Sequence, residues 1–419
     1  MAGQTEAARP IGALSGIRVL DMSRILAGPT CTQILGDLGA EIIKLEKPGA
    51  GDDTRKWGPP YIEGPDGQET TESAYYLSAN RNKRSLGLDF TKPEGHAILL
   101  RLLESCDVLV ENFKTGTLKR YGLDHDSLKT RFPGLVYCSI TGFGQTGPYA
   151  ARAGYDYIAQ AMGGIMSVTG SPDGPPMKVG VGIADVTTGL YATIGIIAAL
   201  RHRDATGKGQ HLDIALLDTQ VSWLVNEATN YLVSGVRPVR RGNEHPNIVP
   251  YKAYETLDGF IVLAVGNDAQ FRRWCDLADL GHLGEDPRFS SNANRVVNRV
   301  ELDRHVAIAM KLRTTANWLA VLETEGVPAG PVNGIDEVFS DPQVLARGMR
   351  IEMPYPHDAS GTVALVGSPL KLSETPVSYR YAPPLAGEHS KTLLSQLAGL
   401  ADDEIVDLVA KGVVSSTVP

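Results

Sequence analysis

Short apolar segments separated by single helices dominate the first third of the chain and limit the folds it can adopt. Strand-like runs occur at 17–22, 41–46, 106–111 and 135–140. Amphipathic helical patterns lie between them, at 28–38 and 92–104. Strands joined through single helices pair in parallel by right-handed crossovers. The sequence therefore predicts an α/β fold with a doubly wound, mainly parallel sheet.

A second, smaller α+β domain is predicted after a long apolar helix over 185–202. One strand and two helical stretches support it, at 259–265, 270–280 and 300–312. The proline-rich tail is expected to be mostly irregular before a final helix from about Ser390. We predict a large domain over 1–233, a small domain with connectors over 234–332, and a C-terminal segment over 333–419 that returns to the large domain.

Charge and cysteine content exclude several classes of protein. The 40 Lys and Arg against 48 Asp and Glu give a net charge of −8, which argues against a broad basic surface for nucleic acid or membrane. The four cysteines form no C-x-x-C pair, so neither a disulfide framework nor a metal site is expected. The N-terminus lacks the apolar core of a signal peptide, and the most apolar stretch, 190–200, is too short to span a bilayer. We expect a cytoplasmic protein.

One glycine-rich segment has the spacing of a dinucleotide-binding loop. Gly142, Gly144 and Gly147 form G-x-G-x-x-G directly after a strand. However, Pro148 follows, no long helix opens there, and no acidic residue ends a second strand about twenty positions later. We interpret the segment as a tight loop.

Two groups of basic residues stand at strand–loop junctions. One is the Arg-Asn-Lys-Arg sequence at 81–84, and the other is Lys114, Lys119 and Arg120 after the next strand. Such runs are usually solvated faces. In an open α/β sheet, however, ligands bind beyond the carboxyl ends of the strands, where fixed cations can hold phosphates. Both interpretations stay open at this point.

Asp185 is the most informative single residue. It follows the glycine-containing segment 179–184 and precedes the long apolar helix. An Asp N-cap would satisfy orphan backbone N–H groups, and the helix dipole would keep the carboxylate ionised. An ionised carboxylate beside glycine backbone can also attack an acyl carbon. The two roles are compatible.

Segments along nearly the whole chain resemble the class III CoA-transferases, a family that includes formyl-CoA and carnitine CoA-transferases and α-methylacyl-CoA racemase. The matching segments, in order, are 14–21, 27–29, 38–46, 82–85, 110–113, 140–148, 206–210, 326–331 and 387–389. The resemblance implies an interlocked homodimer, acyl-CoA and small carboxylic acids as substrates, and no tightly bound cofactor or metal.

The resemblance also implies a covalent mechanism. Asp185 attacks an acyl-CoA thioester to give a mixed anhydride and free CoA thiolate. The thiolate returns to form an aspartyl-CoA thioester, which an incoming carboxylate opens. The implied CoA-binding residues are Leu26, Ala27, Lys47, Asn80, Arg81, Asn82, Lys83, Asn112, Phe113, Lys114, Arg120, Tyr155 and Asp156.

Within the family, the segments 49–60, 139–142 and 248–251 are most similar to enzymes that transfer CoA from succinyl-CoA to glutarate. Enzymes acting on itaconate, mesaconate, malate or citramalate share much of this pattern, so these acids stay open as acceptors. A 2-methylacyl-CoA racemase and a non-catalytic CoA-binding protein are further alternatives. The family's racemases carry Gly-His-Asp where this chain has Gly154-Tyr155-Asp156, and a phenol with a pKa near 10 is a poor base at neutral pH.

Overall fold

The computed structural model describes residues 12–415. The elements of its first part are β1 (Arg18–Asp21), α1 (Ala27–Asp37), β2 (Glu41–Glu46), β3 (Tyr61–Glu63), β4 (Glu69–Ser73), α2 (Ala74–Ser78), β5 (Lys83–Leu88), α3 (Pro93–Leu103), β6 (Val108–Glu111), α4 (His125–Leu128), β7 (Val136–Thr141), α5 (Asp156–Met162), α6 (Ile165–Val168), α7 (Ile183–Thr206), β8 (His211–Ala215), α8 (Leu216–Ser222) and α9 (Val225–Ser234). The later elements are β9 (Tyr251–Glu255), β10 (Phe260–Ala264), α10 (Asp268–Leu277), α11 (Gly281–Glu285), α12 (Asn292–Val297), α13 (Arg299–Met310), α14 (Thr315–Thr324), β11 (Ala329–Pro331), α15 (Ile335–Ser340), α16 (Pro342–Ala346), β12 (Arg350–Pro354), β13 (Thr362–Val366), α17 (Ser390–Ala398), α18 (Asp402–Ala410) and β14 (Val414–Ser415). The prediction that the chain has no signal peptide rests on its N-terminal residues, and these lie outside the described residues.

A seven-stranded sheet is the largest sheet in the described part of the chain. Its strand order is β14-β5-β2-β1-β6-β7-β8, and every neighbouring pair is parallel except β14 with β5. Successive residues of β1 point to opposite faces of the sheet. Val19 packs in a core with residues of α1 and α7, whereas Leu20 packs in another with residues of α3, α17 and α18. The predicted α/β fold with a mainly parallel sheet is confirmed.

The chain forms two compact units. The first contains the seven-stranded sheet and consists, within the described residues, of 12–165, Lys178–Asn226 and 343–415. The second contains the antiparallel sheet β11-β10-β9 and consists of Met166–Met177 and Glu227–Pro342. Its core side chains come from that sheet and from α10–α14. The domain limits given above stay a prediction, and their outermost residues, 1–11 and 416–419, lie outside the described part of the chain.

Two short hairpins were not predicted, and the second lies in the tail that was expected to be mostly irregular. β3 pairs with β4, and β12 pairs with β13 in the proline-rich tail. Alternate apolar residues of the second hairpin, Met353 and Val363 among them, pack with Tyr76 in a small core. This alternation of apolar and polar residues is short and lies among prolines. The proline-rich composition of the tail therefore gave no indication of strands there. The final helix predicted from about Ser390 begins there, but it ends at Ala398 and a second helix, α18, follows it.

The 24-residue helix α7 places the candidate nucleophile. It is long and apolar enough to cross a membrane, but half of its most apolar window is buried inside the protein. It packs closely on α1, because a Cβ at Gly189 would lie only 2.7 Å from the carbonyl oxygen of Ala27. We therefore describe α7 as a core helix of the first unit, with α1 packed along it.

Candidate active site

A cleft opens beyond the carboxyl ends of three neighbouring parallel strands, β1, β6 and β7. It has a volume of about 220 Å³. Its lining comprises Arg24, Ile25, Leu26, Ala27, Asn112, Phe113, Lys114, Thr115, Ile140, Thr141, Gly142, Arg152, Ala153, Gly154, Tyr155, Asp185 and Leu216. Ligands of open α/β sheets bind at this edge.

Asp185 lies in this cleft, in the first turn of α7. The helix begins at Ile183 with Gly182 as its N-cap, so the interpretation of Asp185 as the N-cap is wrong. The carboxylate of Asp156 caps the helix instead, since its Oδ1 accepts hydrogen bonds from the N–H of Ala184 at 2.8 Å and of Asp185 at 3.3 Å. Within the described residues, no donor bonds to the carboxylate of Asp185, which is therefore available to a ligand.

The environment of Asp185 disfavours its charge. Burial raises the pKa of Asp185 to about 7, and the negative charge of Asp156 adds to the rise. A group with this pKa is ionised in about half of the molecules at pH 7. Burial thus opposes the ionised form that the helix dipole is expected to favour.

The turn between β1 and α1 forms one wall of the cleft. Ile25 has a φ of 72°, a left-handed conformation that is costly for a β-branched residue. The side chain of Asn112 exchanges hydrogen bonds of 2.9 and 2.7 Å with the backbone of Arg24. The carboxylate of Asp52 accepts the N–H of Ile25 at 3.3 Å and pairs with the buried Lys44 at 2.8 Å. These contacts fix the strained turn that brings the start of α1 to the cleft.

Half of the predicted site residues meet in this cleft. The seven that line it are Leu26, Ala27, Asn112, Phe113, Lys114, Tyr155 and Asp185. Asp156 lies beside it as the cap of α7. Lys47 and Arg120 are exposed and do not contribute to its lining. A CoA contact by these residues stays a prediction.

The four remaining predicted residues, 80–83, are buried. The guanidinium of Arg81 pairs with Asp37 through bonds of 2.6 and 2.9 Å. The Nζ of Lys83 lies 3.2 Å from Asp21 and also donates to the side chain of Asn80 at 3.0 Å. Burial lowers the pKa of Lys83 to about 8. The solvated-face interpretation is therefore wrong for Arg81 and Lys83, while their CoA-binding role stays a prediction.

Two cationic residues of the cleft lining, Arg24 and Arg152, were not among the predicted site residues. Arg152 lies just before the Gly154-Tyr155-Asp156 segment of the family resemblance, and this position could have indicated that it belongs to the site.

The segment with G-x-G-x-x-G spacing forms a loop, as predicted, with no helix directly behind it. Gly142 serves a packing purpose, since a Cβ there would lie 2.5 Å from the Cα of Gly154. Within residues 12–415, no group of three or more His, Cys, Asp or Glu side chains could hold a metal ion.

Known proteins resemble this chain over most of its length. The sequence model of CoA-transferase family III matches residues 14–390. The chain is 50% identical over 385 residues to the succinate–glutarate CoA-transferase of Agrobacterium fabrum, covering 92% of this chain and 95% of that protein. It is 43% identical over 401 residues to the succinyl-CoA:glutarate CoA-transferase of Homo sapiens, covering 96% and 90%. The crystal structure of a CAIB/BAIF family protein from Brucella suis is similar with a TM-score of 0.82 and 46% identity, covering 93% of this chain and all of that one.

Proposed function

The chain belongs to CoA-transferase family III, and on that premise we propose that it transfers CoA from succinyl-CoA to glutarate with Asp185 as the nucleophile. The observation that carries the proposal is the carboxylate of Asp185, which faces the cleft while Asp156 takes over the capping of α7. The substrates are those named for relatives that are 50% and 43% identical to the chain.

The first half-reaction moves CoA onto the enzyme. A carboxylate oxygen of Asp185 attacks the thioester carbon of succinyl-CoA, a C–O bond forms, and the C–S bond breaks to release CoA thiolate. The thiolate then attacks the Asp185 carbonyl carbon of this anhydride. Succinate leaves with the electron pair of the broken C–O bond, and an aspartyl-CoA thioester remains.

The second half-reaction repeats these steps in reverse with the new acid. A carboxylate of glutarate attacks the aspartyl thioester and expels CoA thiolate. The thiolate attacks the glutaryl carbon of the resulting anhydride, so that glutaryl-CoA forms and Asp185 returns as a free carboxylate. Each exchange runs between activated acyl groups, so the steps are close to balanced in free energy.

The start of α1 supplies groups suited to the oxyanions of these steps. Leu26 is the N-cap of α1 and offers no side-chain cap, Pro29 has no N–H, and the N–H of Thr30 bonds to the carbonyl of Leu26. The N–H of Ala27, which lines the cleft, keeps its donor capacity. Donors held rigidly where negative charge develops stabilise tetrahedral intermediates. The contacts with the rest of CoA, by Lys47, Arg120 and 80–83, belong to the same proposal.

The racemase alternative is disfavoured by the hydrogen bonds of Asp156. Racemisation needs a proton-transfer group on each face of the α-carbon. Oδ1 of Asp156 already accepts from the N–H of Ala184, and its Oδ2 accepts from Gln160 at 2.7 Å. Tyr155, the remaining candidate for the second face, stands where the family's racemases carry a histidine.

We expect the enzyme to form glutaryl-CoA when it is mixed with succinyl-CoA and glutarate. A parallel panel of itaconate, mesaconate, malate and citramalate, analysed by mass spectrometry of the CoA products, ranks the acceptors. In deuterated water, 2-methylacyl-CoA should gain no α-deuterium. Deuterium uptake without CoA transfer would assign the racemase instead, and no reaction in either assay would assign a CoA-binding protein without catalysis.

A homodimer is part of the proposal. One face of α7, with Leu190, Ile194 and Ile197, is exposed although it is apolar, while Ile196 on another face is buried in the core. A second copy of the chain is the occupant we propose for this face, in line with the interlocked dimer of the family. Sedimentation equilibrium should then give about twice the chain mass of 44.9 kDa, whereas a single-chain mass would contradict the dimer. The cytoplasmic location stays a prediction.

A further inference from the structure

A dicarboxylic acceptor has one carboxylate that reacts and one that the site must neutralise. The cleft that holds Asp185 contains three cationic side chains, Arg24, Lys114 and Arg152. Burying a free carboxylate without a cation is costly, and arginine matches a carboxylate with two parallel hydrogen bonds. The partner of the second carboxylate is therefore to be sought among these three.

Two of the cations have other partners or roles. The guanidinium of Arg24 forms an ion pair of 2.8 Å with Asp53. Lys114 is one of the implied CoA-binding residues, and it also lines a second cleft that shares Phe113 with the first. Arg152, in contrast, has no carboxylate within ion-pair distance among residues 12–415.

Arg152 lies beside two aromatic rings. Its guanidinium carbon lies 4.6 Å from the ring centroid of Tyr149 and 5.2 Å from that of Phe143. Contacts of this kind use none of the N–H donors of the guanidinium. Arg152 is exposed and its side chain donates no hydrogen bond within residues 12–415, so its N–H groups are open to a planar, two-bond partner.

The backbone beside Arg152 is fixed relative to Asp185 at two points. Gly154 touches Gly142 at the end of β7, since a Cβ on Gly154 would lie 2.4 Å from the Cα of Gly142. Two residues further on, Asp156 bonds to the first turn of α7, which carries Asp185. The segment that carries Arg152 is therefore in direct contact with the helix turn that carries Asp185.

We propose that Arg152 binds the non-reacting carboxylate of the dicarboxylic acid and so selects dicarboxylates over monocarboxylates. The same contact would hold the free carboxylate of the succinyl group in the donor. This inference rests on the proposed CoA transfer through Asp185, and it adds the residue that sets the acceptor class.

The test compares two acids of equal length, glutarate and pentanoate, in Arg152→Gln. The transfer is a ping-pong reaction, so kcat/KM for the acceptor reports the second half-reaction alone and is independent of the succinyl donor. We expect kcat/KM for glutarate to fall by about 30- to 100-fold, the size of a lost charge-assisted bond pair, and that for pentanoate to stay within about twofold. Arg152→Leu should raise kcat/KM for pentanoate, because the unpaired cation is replaced by an apolar group.

Lys114→Gln is the matched contrast. A lysine on the CoA path should raise KM for succinyl-CoA and affect both acids to the same extent. Equal losses for glutarate and pentanoate in Arg152→Gln, or a change confined to KM for succinyl-CoA, would overturn the inference. Failure of the wild-type enzyme to form glutaryl-CoA would instead show that glutarate is not the acceptor. The same comparison would then use another dicarboxylic acid of the panel and the monocarboxylic acid of equal length.

Discussion

Replacing Asp185 with asparagine is expected to reduce CoA transfer by about 10⁴-fold or more, because an amide cannot form the acyl anhydride. The fold should persist, since Gly182 and Asp156, rather than Asp185, cap α7. Mixing wild-type enzyme with acyl-CoA alone and trapping with hydroxylamine or borohydride should label the peptide that contains Asp185. The label should be absent from the variant.

Asp204→Asn is the matched control, since it makes the same change at an exposed position of the same helix. It should transfer CoA at the wild-type rate. Turnover by Asp185→Asn near that of Asp204→Asn would remove Asp185 from the mechanism. Comparing circular dichroism spectra of the two variants separates lost chemistry from lost folding.

The pKa of Asp185 gives the same prediction a second readout. The ionised carboxylate is the attacking form, and burial raises the pKa of Asp185 to about 7. The rate of label formation should therefore rise as pH increases through about 7 and level off above it. Asp156→Asn removes the neighbouring negative charge but keeps an oxygen for the helix cap, so it should move this midpoint to lower pH. A midpoint unchanged by Asp156→Asn would mean that desolvation alone sets it.

Patterns within short segments predicted the sheet and the position of α7, because strand and helix periodicity depend on neighbouring residues. The start of α7 was misplaced for the same reason. An aspartate before an apolar helix has the local signature of an N-cap, but the group that caps this helix, Asp156, lies almost thirty residues earlier in the chain. Only the folded backbone brings Asp156 to the first turn of α7.

The basic segment at 81–84 shows a second reason why sequence patterns fail to predict the environment of a side chain. Its charges suggest an exposed cluster, yet the partners of Arg81, Lys83 and Arg84 come from α1, β1 and β2, about 40 or more residues earlier in the chain. One available signal was the acidic residues within apolar runs, such as Asp21 after Val19 and Leu20. A carboxylate placed there is buried, and buried carboxylates require an internal cation.

Arg81 is therefore expected to matter first for stability. Its guanidinium donates two bonds to the buried Asp37 and one of 2.9 Å to the carbonyl of Val366. Arg81→Ala leaves the carboxylate of Asp37 buried without its cation, which should lower the free energy of unfolding by about 3–5 kcal/mol. Urea denaturation followed by tryptophan fluorescence measures the loss.

Two further variants decide between a structural pair and a CoA ligand. Arg81→Met combined with Asp37→Leu removes both charges and should regain most of the lost stability, because no unpaired ion remains. Arg120→Ala, at an exposed position, should change the unfolding free energy by less than about 0.5 kcal/mol and raise KM for succinyl-CoA if this arginine contacts its phosphates. Wild-type stability in Arg81→Ala, with KM for succinyl-CoA raised, would instead make Arg81 a phosphate ligand, because a buried ion pair with Asp37 cannot lose its cation without destabilising the fold.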